Sequence, residues 1–90
     1  MPNWTNPDIE WDAGNIDHII ERHDIYPEEA EQVFRNGAYI RHEAGGYRAY
    51  GQSDSGQYLF VACLLRGNRV RVISARPMRA KERRLYGRHR

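Results

Sequence analysis

Cysteine is almost missing from this chain of 90 residues: Cys63 is the only one. An intrachain disulfide is therefore excluded, and so is a cysteine-rich metal site. Cys63 lies inside an apolar run, so a buried and inert thiol is expected. Histidine is sparse and scattered, at His18, His23, His42 and His89. His18 and His23 are five apart, which is wrong for one helical face. Neither a metal nor a cofactor is expected. Gly45-Gly46 lacks the spacing and the following helix of a nucleotide-binding loop, and no serine stands in a nucleophile-elbow pattern. No apolar stretch approaches the roughly 20 residues a membrane helix needs, so no membrane partner is expected. The opening Met1-Pro2-Asn3-Trp4 has no charged lead and no apolar run, so no signal peptide is expected. Repeats, linkers and low-complexity tracts are also lacking. The expectation is one domain over residues 1–90, located in the cytoplasm.

What the chain does have is arginine, unevenly placed. The net charge is only +2. Up to Leu65 there are four arginines against eleven carboxylates, a net of −7. From Arg66 onward there are nine arginines, Lys81 and the single Glu82, a net of +9. Such asymmetry points to a polyanion-binding face, with RNA as the expected polyanion. The acidic first part is expected to form the opposing wall.

Periodicity gives the elements. Residues 1–8 read as an irregular lead, and Ile9-Glu10-Trp11 as a short edge strand. Asp12 is an N-cap candidate, and Ile16, Ile19, Ile20 and His23 then fall on one face of a helix that ends at Asp24. Pro27 suits the first position of a second helix, with Glu28 and Glu29 in its first turn and Ala30, Val33 and Phe34 as its buried stripe. Gly37 reads as its C-cap. The period then changes from 3.6 to 2. Ala38–His42 is a weak strand, Gly45-Gly46 a turn, and Tyr47–Gln52 a strand with Arg48 and Tyr50 on one side. Gln57–Leu65 is apolar from Tyr58 onward, so it belongs in the middle of a sheet. Gly67-Asn68 makes a hairpin, Arg69–Arg76 the last strand and Arg79–Tyr86 a closing basic helix. The fold class is α+β: two helices, an antiparallel sheet of about four strands, and a C-terminal helix. By simple alternation, Arg69 and Arg71 share one face of the last strand, and Arg76 lies on the other with Val70 and Val72. On the closing helix, Arg79, Glu82, Arg83 and Tyr86 fall at i, i+3, i+4 and i+7.

Arginine, tyrosine, glutamate and histidine can together cleave RNA without a metal. The 2′-OH is an internal nucleophile beside the scissile phosphate. The protein must take its proton, neutralise the added phosphate charge, and protonate the departing 5′-oxygen. Arginine suits the second task because its planar fork matches phosphate oxygens. Glutamate or histidine suits the first, and histidine or tyrosine the third.

Several segments together carry a family resemblance. They are Glu10-Trp11-Asp12, Arg22-His23, Pro27-Glu28-Glu29-Ala30, and Gly51 with Ser53 and Gly56. Above all, they are Val70–Arg76 followed by Glu82-Arg83-Arg84-x-Tyr86. These resemble the BrnT family of bacterial toxins, from about Ile9 to Tyr86. The resemblance implies a RelE-like ribonuclease fold, RNA as substrate, toxicity, and a cognate DNA-binding antitoxin in a toxin–antitoxin hetero-oligomer. The positions it implies for the site are His23, Arg48, Arg71, Arg76, Arg83 and Tyr86. The chain departs from the family at Asn15, where a lysine is usual, and at Asp24, where a glycine is common.

The expected function is that of a type II toxin, a metal-independent endoribonuclease. Arg71 and Arg76 would clamp the phosphate, helped by Arg48 or Arg83. Glu82, His23 or Tyr86 would handle protons, and Arg69, Arg79 and Lys81 would add RNA-binding charge. The alternative is a non-catalytic RNA- or protein-binding module of the same fold.

Overall fold

A computed structural model describes residues 2–43 and 45–90. Its elements run β1 (Ile9–Glu10), α1 (Ala13–His23), α2 (Pro27–Arg35), β2 (Tyr39–Glu43), β3 (Gly46–Gln52), β4 (Tyr58–Arg66), β5 (Arg69–Pro77) and α3 (Ala80–His89). The α+β class and the order of elements match the reading of the sequence. No helix is long and apolar enough to cross a membrane.

The helix starts are set by local hydrogen bonds. Asp12 Oδ1 accepts from Asn15 N at 3.1 Å, and Asn15 Oδ1 accepts from Asp12 N at 2.8 Å, a reciprocal cap that satisfies two orphan donors of α1. Asn15 does more. It is 5% exposed, and its Nδ2 donates to Glu10 O and Val72 O at 2.9 and 3.0 Å. One amide thus ties β1, α1 and β5 together. The chain leaves α1 through Asp24, which takes a left-handed conformation at φ 56°. That geometry favours glycine, and aspartate is among the side chains that tolerate it. Pro27 opens α2, and Glu29 Oε1 accepts from Tyr26 N at 3.0 Å.

The sheet has five strands rather than about four, in the order β1-β5-β4-β3-β2. Four form the expected antiparallel meander with β4 in the middle. The fifth is β1, paired in parallel along the outer edge of β5, where Val70 N donates to Asp8 O at 2.8 Å. The sheet is therefore mixed. The hairpin between β2 and β3 includes Gly45 at φ 75°, while Ala44 lies outside the described residues.

The two faces are covered differently. On one, α1 and α2 bury Ile19, Ile25, Val33 and Phe34 against Ala49, Leu59, Val61, Cys63, Val70, Val72 and Ala75. Each such large aliphatic or aromatic side chain contributes about 1.5–3 kcal/mol by leaving water. Gly51 lets α2 approach: an added Cβ would stand 3.1 Å from Val33 Cγ1 and 3.3 Å from Val33 O. Burial pushes the Cys63 thiol pKa up to about 12, which fits an inert residue. The irregular lead also packs here, with Trp4 against Tyr47 at 5.0 Å between ring centroids. On the other face, Tyr86 of α3 packs in one cluster with Tyr50, Phe60 and Met78.

One register shift corrects the simple alternation. Ala62 pairs with Ser74 and Cys63 with Val72, so Ile73 has no partner and bulges out, 44% exposed. Beyond the bulge the parity inverts. Ala75 joins Val70 and Val72 in the core, and Arg76, opposite Phe60, joins Arg71 on the α3 face. The two arginines expected on opposite faces share one. A second correction concerns the acidic helices. Both α1 and α2 lie behind the sheet, so they form no wall opposite the arginines.

Candidate active site

The α3 face of the sheet is only partly roofed. Side chains from β2, β3, β4 and β5 that share this face through the ladder pairing reach it: Arg41, Arg48, Tyr50, Phe60 and Arg76 among them. At its centre Arg76 meets the N-terminal turn of α3. Arg76 Nη1 and Nη2 donate to Glu82 Oε1 and Oε2, each at 2.7 Å, in a two-pronged pair. Nη1 also donates to Pro77 O at 3.2 Å, and the guanidinium carbon lies 4.3 Å from the Phe60 ring centroid. Glu82 Oε1 accepts in addition from Arg79 N at 2.8 Å, which caps α3. The side chains of the pair are 17% and 18% exposed. Burial works to raise the Glu82 pKa, but the Arg76 hydrogen bonds, the Arg79 backbone donor and both cationic charges outweigh it, and the net shift is downward. Glu82 is thus a fixed, ionised carboxylate.

Beside it, between α3 and the β2–β3 hairpin, is a cleft of about 280 Å³ lined by Arg41, Tyr50, Lys81, Glu82, Leu85 and Arg88. Its charge is mostly positive. Arg41 bridges Glu43 at 3.3 Å on an open surface, where such pairs contribute little. Among the described residues Arg48, Lys81 and Arg88 make no ion pair. Arg41 and Arg48 stand directly opposite one another across the β2–β3 ladder. Like charges at that spacing destabilise a sheet, and an anion bound there would offset the repulsion. Tyr50 is 4% exposed. Its phenol pKa is raised, first by burial and then by Glu43, against the pull of Arg41 and Arg48.

Of the expected site residues, Lys81 and Glu82 line the cleft, Arg76 is bound to Glu82, and Arg48 stands on the same face opposite Arg41, outside the lining. His23 and Arg79 stand near Arg76. Burial, helped by the charges of His18, Arg76, Arg22 and Arg79, lowers the pKa of the half-buried His23 imidazole. Other expected site residues lie apart. Arg71 is at the β1 edge, where Nη1 donates to Glu10 Oε1 at 3.0 Å and Asp12 Oδ2 at 2.7 Å. Arg66 pairs with Glu10, and Arg69 with Asp8 and Glu10. The basic third is thus divided: its first arginines are held by the acidic N-terminal segment. The Arg71 hydrogen bond holds the Asp12 pKa down at about 2. Arg83 lies over the Tyr58 ring at 4.1 Å. Tyr86 is 7% exposed, edge-on to Tyr58, with its hydroxyl 3.5 Å from Gln52 Oε1.

Arg41, Tyr50 and Arg88 are not among the expected site residues: Arg88 counts only toward the steering charge of the basic third, and Tyr50 only as sharing a strand side with Arg48. Among the described residues, no three His, Cys, Asp or Glu side chains converge as metal ligands would.

Comparison with known proteins settles the family. The family model for the ribonuclease toxin BrnT of type II toxin–antitoxin systems matches residues 11–82. The chain belongs to the BrnT family. The crystal structure of the Brucella abortus ribonuclease toxin BrnT shares the fold, with a TM-score of 0.66 and 21% sequence identity, over 81% of this chain and 97% of that one. No curated protein matches the sequence. The BrnT match covers His23, Arg48, Tyr50, Arg71, Arg76 and Glu82 and stops before Arg83, Tyr86 and Arg88. Membership in a family of ribonuclease toxins implies an RNA target and a cognate antitoxin.

Proposed function

We propose that this BrnT-family chain is a metal-independent endoribonuclease, cleaving RNA by attack of its own 2′-OH on the adjacent phosphate, in the cleft between α3 and the β2–β3 hairpin. One observation carries the reading: an ionised carboxylate, Glu82, is fixed by a two-pronged arginine pair in a cleft whose other charged walls are cationic. That arrangement suits a reaction in which a proton leaves a hydroxyl while charge grows on phosphate.

The roles follow from the contacts. Glu82 takes the 2′-OH proton. Arg48, Lys81, Arg88 and Arg41 neutralise the phosphate. Arg76 is a positioning residue, because its fork is already committed to Glu82. Arg79 extends the positive rim, and His23 stands by the Arg76 end as a neutral group. Arg69, Arg71 and Arg83 contribute long-range attraction, and Tyr86 packing. Residues 1–90 act as one domain in the cytoplasm, and a DNA-binding antitoxin with acidic groups covers the cleft in the hetero-oligomer.

The test uses a defined RNA oligonucleotide in the presence of a chelator. Cleavage should persist, should leave a 2′,3′-cyclic phosphate and a 5′-hydroxyl, and should vanish when the scissile nucleotide is 2′-deoxy. Cleavage of the 2′-deoxy substrate, or activity that needs added metal, would overturn the mechanism. Salt-dependent binding with the RNA left intact would favour the binding module instead.

A further inference from the structure

We infer that Tyr50 is the proton donor to the departing 5′-oxygen. The inference rests on the ribonuclease reading of the cleft and names a catalytic residue within it.

Four observations lead there. Tyr50 lines the cleft together with Glu82, so an acid and a base stand on one small concavity. Its ring is fixed, edge-on to Phe60 at 5.4 Å and against Tyr39 at 5.9 Å, so little side-chain freedom is left to lose on binding. Among the described residues its hydroxyl makes no hydrogen bond, yet no polar side-chain atom there is both buried and unpartnered. The hydroxyl is therefore open to the cleft while the ring is not. Finally, Arg41 and Arg48 are direct partners across the ladder, and Tyr50 neighbours both: it follows Arg48 by two on β3 and pairs with Tyr39, two before Arg41 on β2. A phenolate formed there would be drawn by Arg41 and Arg48, which offset part of the opposing effect of burial, Glu43 and Glu82.

The rival phenol is placed differently. Tyr86 turns its hydroxyl to Gln52 and its ring to Tyr58, and it does not line the cleft.

The step balances. The 2′-oxygen forms a bond to phosphorus as its proton passes to Glu82. The bond from phosphorus to the 5′-oxygen breaks, and its electron pair stays on that oxygen, which takes the Tyr50 proton. The products are a 2′,3′-cyclic phosphate and a 5′-hydroxyl. The phenolate then recovers a proton through water from Glu82. A phenol is protonated at neutral pH without any shift, as a donor must be, and burial only moves its pKa further up.

The test compares two RNA substrates in the full chain. One has the ordinary 5′-oxygen, the other a bridging 5′-sulfur, whose thiolate leaves without protonation. Tyr50→Phe keeps the ring, and its thermal midpoint should match that of the wild type. On the oxygen substrate its kcat should fall about 100-fold or more. On the sulfur substrate it should stay within a few-fold of the wild type. An undiminished rate on the oxygen substrate, or an equal loss on both, would overturn the inference. So would a sulfur-specific rescue seen with Tyr86→Phe in place of Tyr50→Phe. Failure of the wild type to cleave either substrate would instead bring down the ribonuclease reading, and this inference with it.

Discussion

The two faces of the sheet are built from different chemistry. Behind it, Ile19, Val33, Phe34 and Val72 make a nearly dry apolar layer under α1 and α2. In front, α3 rests on a few aromatic rings and leaves arginines and a carboxylate facing solvent. The rear face holds the fold together. The front face tolerates electrostatic cost, as in the opposed Arg41 and Arg48, a cost that a bound anion would offset.

Substitutions should separate the faces. Phe34→Ala empties a fully buried site and should cost about 3–5 kcal/mol, read by denaturant or thermal unfolding. Leu64→Ala, in front and 38% exposed, should cost less than about 1 kcal/mol. A similar loss from both would erase the distinction. Glu82→Gln should lower kcat about 100-fold, a loss near 2.7 kcal/mol of barrier, and weaken the Arg76 tie as well. The pH profile sharpens this. Because the Glu82 pKa lies below its ordinary value, the rate should hold as pH falls through 6 and decline only within or below the usual carboxylate range. A decline centred near pH 6 would move the base to His23.

Asn15→Ala removes the hydrogen bonds to the Glu10 and Val72 carbonyls, the latter buried, together with the cap on Asp12 N, and should cost about 1–3 kcal/mol. It should leave kcat unchanged once the protein is folded. The smallest effect belongs to Asp12. Its folded pKa, about 2, lies below the ordinary 3.8. The ion pair with Arg71 therefore adds stability that is fully present above pH 3.8 and is lost as pH falls toward 2. Asp12→Asn should flatten acid unfolding in that window and nowhere else.

Much of this was legible from residue order. The change from a 3.6 to a 2 period at Gly37 marks where helices give way to strands. The all-apolar Tyr58–Leu65 run placed β4 in the middle. The bulge at Ile73 was not legible, because Arg69–Arg76 alternates without any break that would announce an extra residue. That one residue decides whether Arg76 faces forward or back. Tyr50 was passed over because a tyrosine on a half-buried strand reads as packing, and only the third dimension brings Glu82 to it. Asn15 read as a missing cation, yet it is a buried tie between three elements. The pairing of Arg66, Arg69 and Arg71 with Asp8, Glu10 and Asp12 was hidden for a similar reason. Summing charge by segment treats as separate the groups that β1 brings together.

The most direct test is RNA cleavage by Arg48→Ala under chelation, with folding followed in the same sample. Arg48 makes no ion pair among the described residues and faces Arg41, so its loss should leave the thermal midpoint unchanged or slightly higher. The predicted result is a fall in kcat of about 100-fold or more in a fully folded protein. Cleavage at the wild-type rate by the folded variant would contradict the assignment of the front face as the ribonuclease site.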